Sequence, residues 1–75
     1  MTREELIAQL SVLGVNESSY SLDGLKNSDC VCIVKMGQRW EVCYVERDIP
    51  DTLSTFSSKE DAYEFVLEQF QKWLS

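Results

Sequence analysis

The sequence predicts an α+β domain: a small antiparallel sheet of three to four strands flanked by an N-terminal and a C-terminal helix, in the order α-β-β-β-(β)-α. Three observations predict it. A helix-start signature precedes an apolar stripe near each end of the chain, at Thr2-Arg3-Glu4-Glu5 and Ser57-Ser58-Lys59-Glu60. Between them, two strand-like runs flank Gly37-Gln38, a spacing that specifies a two-residue hairpin. No linker, repeat or low-complexity segment interrupts residues 1–75, so they are read as one domain.

In the first helix, the Thr2 hydroxyl can accept from the Glu5 amide while the Glu5 carboxylate reaches back to the Thr2 amide. Leu6, Ile7, Leu10 and Leu13 form its apolar stripe, and Gly14 supplies the left-handed residue that ends it. Residues 15–19 read as a loop and Tyr20-Ser21-Leu22-Asp23 as a short strand stopped by Gly24. With Gly first in a type II′ turn, Met36 faces Arg39, Val34 faces Glu41, Cys32 faces Cys43 and Val31 faces Tyr44. One sheet face then carries Val31, Ile33, Trp40, Val42 and Tyr44. The other carries Cys30, Cys32, Val34, Met36, Cys43 and Val45.

Asp48-Ile49-Pro50-Asp51 reads as a turn, because proline fixes φ and the flanking aspartates favour turns. Thr52–Phe56 is then a last short strand. Ser57 is the expected cap of the second helix, with Asp61 in its first turn, where the helix dipole favours negative charge. Its expected buried stripe is Ala62, Tyr63, Val66, Leu67, Phe70, Trp73 and Leu74, with Phe65 at the edge. Both helices need one sheet face as partner, which leaves the cysteine face as an expected exposed patch of a few hundred Å².

Composition narrows function. The 75 residues contain no His, the commonest general base near neutral pH and the commonest metal ligand, and a chain this short has little room for a deep cleft. No catalytic residue and no cofactor is assigned, and the expectation is a non-enzyme. A net charge of −6 repels phosphate, which argues against nucleic acid and anionic membranes as partners. The start Met1-Thr2-Arg3-Glu4-Glu5 is acidic where a signal peptide is basic, and three Cys without disulfide-framework spacing suit a reducing compartment. The expected location is cytoplasmic.

Two side-chain groupings could carry chemistry. Cys30 and Cys32 should lie about 7 Å apart on one side of a strand, with Cys43 about 5.5 Å across from Cys32. That admits a Cys32–Cys43 disulfide or a thiolate site, yet zinc wants four ligands, so no metal is assigned and the thiols read as small apolar strand residues. The thirteen acids are unevenly placed: net −3 over residues 1–25, +1 over 26–47 and −4 over 48–75, which sum to −6. Solvation explains such helices; the alternative is a surface that captures a basic partner.

At Tyr20-Ser21-Leu22-Asp23-Gly24, at Trp40-Glu41-Val42-Cys43-Tyr44-Val45-Glu46-Arg47 and at Phe56-Ser57-Ser58-Lys59-Glu60-Asp61-Ala62, the chain resembles a group of short bacterial immunity-type proteins encoded beside polymorphic or contact-delivered toxins. The resemblance runs from Leu6 to about Phe70. In that group the strand continues into Glu-Arg-Gly, where this chain has Asp48 after Glu46-Arg47. The resemblance implies a non-catalytic protein that binds and neutralises a cognate toxin. Combined with the charge pattern, it makes the expected partner-binding residues Glu41, Glu46 and Arg47 at the sheet rim and Glu60, Asp61, Glu64 and Glu68 on the last helix. The alternative is a self-associating module, a homodimer through Cys30, Cys32, Val34, Met36, Cys43 and Val45.

Overall fold

In the computed structural model, which describes residues 1–26 and 29–74, Thr2 caps helix α1 (Arg3–Val12). Both reciprocal bonds of the capping box form, Glu5 N–H donating to Thr2 Oγ1 and Thr2 N–H to Glu5 Oε1, each at 3.1 Å. At the other end Val15 N–H reaches the Leu10 carbonyl and Gly14 N–H the Ser11 carbonyl, the paired bonds of a Schellman stop. Gly14 sits at φ +82°, a conformation that costs glycine little.

A 3₁₀ turn (Glu17–Ser19), with the Asn16 side chain accepting from Ser18 N–H, leads into strand β1 (Tyr20–Ser21). The strand is two residues shorter than expected, because Ser21 Oγ donates to the Gly24 carbonyl at 2.7 Å and folds the chain over. Strands β2 (Cys30–Met36), β3 (Arg39–Glu46) and β4 (Ile49–Phe56) complete the sheet in the order β1-β2-β3-β4, and helix α2 (Lys59–Leu74) ends the domain. The α+β architecture with terminal helices stands as expected. The sheet is mixed, however: β1 runs parallel to β2, and the other two pairs are antiparallel.

The first hairpin has the register deduced from its turn, Met36 opposite Arg39, Cys32 opposite Cys43 and Val31 opposite Tyr44. The second differs from expectation. Its turn is Arg47-Asp48, both at positive φ (54° and 63°) as a type I′ turn requires, and Ile49-Pro50-Asp51 belongs to β4. Pro50 is tolerated there because β4 is an edge strand, where a missing N–H breaks no ladder on the open side. The register slips between Val42 and Cys43, paired with Ser54 and Thr52, leaving Leu53 as the extra residue of a bulge.

The main core joins Leu6 and Leu10 of α1, Tyr20, Val31, Ile33 and Val42 of the sheet, and Ala62, Tyr63, Val66 and Phe70 of α2. Phe65 packs at its margin against Phe56, with ring centroids 5.2 Å apart. The cap of α2 is Ser58, whose Oγ accepts from Asp61 N–H at 3.2 Å; Ser57 lies one residue too early, because Lys59 is the first helical residue. The expected stripe of α2 also overreaches at its end. Trp73 and Leu74 are 50% and 57% exposed, since the last turn runs past the buried part of the sheet.

The opposite face is not the exposed patch expected of it. Cys30, Cys32, Cys43 and Val45 are buried and Val34 is half-buried, leaving Met36 as the exposed member of that set. The backbone of Lys26, in the segment that follows β1, comes near enough to the Cys32 thiol on this side to lower its pKa.

Candidate interaction surface

The acids of α2 divide by position. Glu60 and Asp61 stand in the first turn, where the unpaired N–H groups and the helix dipole favour negative charge, so both have a structural reason to be acidic. Glu64 and Glu68 lie beyond that turn. All four are exposed, and Glu60, Glu64 and Glu68 follow one another at i, i+4, stacked along one side of the helix. Like charges at that spacing destabilise a helix by about 0.2–0.5 kcal/mol per pair. Lys72 continues the row at i+4 from Glu68 and offsets part of that repulsion, so the cost falls on the Glu60–Glu64 and Glu64–Glu68 pairs.

Acids at the N-terminus of α1 serve the fold instead. Glu5 is held below the ordinary carboxylate range by the Thr2 backbone N–H, with the Thr2 hydroxyl adding to it. Arg3 pairs with Asp23 at 2.6 Å and ties α1 to the turn after β1. Both partners are exposed, so the pair is worth at most about 1 kcal/mol.

The three rim residues do not share one face of the sheet. Glu46 and Arg47 line a shallow hollow of ≈ 290 Å³ with Tyr44, Ile49 and Asp51, on the helix-bearing side of the sheet. Glu41 alternates to the cysteine side, opposite Val34, and its Oε1 accepts from Thr52 Oγ1 at 3.0 Å. Strand alternation separates them, because residues 41 and 46 differ by an odd number of steps.

Tyr44 also joins a second hollow that sequence reasoning missed. This pocket, ≈ 450 Å³, is lined by Ser19, Asp29, Cys30, Val31, Tyr44, Phe70 and Trp73. Trp73 meets Phe70 edge-on at 5.6 Å and tilts over Tyr44 at 5.9 Å. Asp29, at the entrance to β2, is exposed and accepts from Arg47 N–H through Oδ1 at 3.0 Å, which links the pocket to the β3–β4 turn. Its volume falls within the usual range of small-ligand sites. The signal available beforehand was the position of Trp73 near the end of a helical stripe, where fewer neighbours follow it.

The cysteines form a buried cluster. Cys30 and Cys32 sulfurs lie 3.2 Å apart, Cys43 Sγ is 3.8 Å from Thr52 Oγ1, and all three are free thiols. Burial first, and then the hydrogen bond to Cys30, push the Cys32 thiol up to about 11, against the lowering effect of the Lys26 N–H. At neutral pH it is protonated, and the thiolate is the form that attacks disulfides or binds metals. No group of three or more potential metal ligands is found among the described residues. No helix among them is long and apolar enough to cross a membrane.

No family model matches the chain, and neither a curated protein nor a solved structure matches it.

Proposed function

We propose that this protein is a cytoplasmic immunity-type protein that neutralises a cognate bacterial toxin by binding and occluding it, without chemistry of its own. The observation that carries the reading is the stripe Glu60, Glu64 and Glu68, exposed on α2 at a spacing unfavourable to the helix, two of its members having no role at the helix N-terminus. A basic surface laid against it removes that repulsion and gains complementary potential, which speeds encounter. Toxins that act on nucleic acid need a cationic surface of their own, and an acidic helix placed there blocks access to the phosphate backbone. Glu46 and Asp51 extend the same sign of charge beside Tyr44. Their neighbour Arg47 has its backbone N–H engaged by Asp29.

Co-expression with the product of the adjacent reading frame tests this. The neighbour should be harmful alone and harmless with this protein, and the two should co-purify at low salt and separate as salt rises. A neighbour harmless by itself, or the lack of a complex at low salt, overturns the proposal. The self-association alternative draws no support from the cysteine face, whose side chains are mostly buried within one copy.

A further inference from the structure

We infer that the pocket between the end of α2 and the sheet receives a single lysine or arginine side chain from a basic protein partner. This rests on the proposed partner reading and adds the point of contact. Two features of the pocket and the charge of the chain lead there. Trp73 is half-exposed although its ring joins Tyr44 and Phe70 in one aromatic wall. Asp29 lines the same pocket, with its Oδ1 accepting from Arg47 N–H. The chain as a whole carries −6. Aromatic faces attract cations through the ring quadrupole, arginine above all, and they also pack against the alkyl stem of a long basic side chain. A carboxylate at the rim favours a cationic head over an apolar or anionic one.

The other tryptophan shows the same chemistry satisfied internally. Lys35 Nζ lies 5.7 Å from the Trp40 ring centroid, so a cation of this chain already occupies that indole. Trp73 has two aromatic neighbours and an acid in the corresponding setting. A buried, desolvated cation on such a wall is worth more than an exposed one, and interface hot spots concentrate in aromatic pockets of this kind.

The test is an NMR titration of the full chain with acetyl-Gly-Arg-Gly-amide, with norleucine and glutamate peptides of the same length as controls. Trp73→Phe identifies the Trp73 indole resonance. The arginine peptide should shift the Trp73 indole and the Asp29 and Tyr44 amides saturably, leaving the Trp40 indole in place. Asp29→Asn keeps an oxygen for the Arg47 N–H while removing the charge, and should weaken binding about fivefold, as should Trp73→Ala. Equal binding of the norleucine peptide, or arginine shifts confined to Glu60, Glu64 and Glu68, overturns the inference. A co-expression complex without any arginine shift at Trp73 removes the pocket and leaves the partner reading standing. Arginine binding at Trp73 with no complex does the reverse.

Discussion

The two faces of the sheet reach similar burial by different means. On one, Val31, Ile33 and Val42 belong with residues of α1 and α2 to a single core of ten buried residues from both helices and three strands. On the other, Cys30, Cys32 and Val45 form a small, separate cluster with Val34. The second face is built of small side chains, and cysteine behaves there as a small hydrophobe. The first face should supply most of the stability, and the second should be the face sensitive to thiol chemistry.

Leu10→Ala is the strongest way to break the comparison. Leu10 is fully buried between the helices and the sheet, and its truncation should cost about 3 kcal/mol in a urea melt, within the range of cavity-forming leucine substitutions. A loss no larger than that of Cys32→Ala, expected at about 1 kcal/mol from the smaller side chain removed, would make the two faces equivalent. The cysteine face has its own signature in alkali. Its thiol is raised in the folded chain to about 11 from an ordinary value of 9.0, so the stabilisation is complete below pH 9 and is lost as pH rises toward 11. Melts across that window should fall more steeply for the natural chain than for Cys32→Ala, and parallel curves would show that the thiol is not held in its neutral form.

A substitution at the turn acts on both faces alike. Asp48 sits at φ 63°, where glycine is unstrained, and Asp48→Gly should raise stability by about 0.5–1 kcal/mol. A decrease would show that the Asp48 side chain has a role in holding the type I′ turn.

The sequence was most legible where one local rule decided the outcome. The capping box at Thr2, the stop at Gly14 and the hairpin register around Gly37-Gln38 each depend on residues a few positions apart, and each formed as read. The Arg47-Asp48 turn was hidden because neither residue is glycine, while Pro50 gave a stronger local turn signal two residues later. Parallel pairing of β1 is a tertiary choice that leaves no periodicity in a two-residue strand. For the candidate surface, charge counts found the acids of α2, but the pocket at Trp73 assembles residues from four separate parts of the chain and could not be read from spacing.

The central claim is that the α2 stripe serves binding at some cost to the helix, and Glu64→Lys separates the two roles. It replaces two repulsive i, i+4 pairs with attractive ones, so the chain should melt later, by about 0.5–1 kcal/mol, while its complex with the adjacent frame's product weakens at low salt. Greater stability with weaker binding is the predicted result. Unchanged binding by the stabilised variant would contradict the account and return the stripe to an ordinary solvated face.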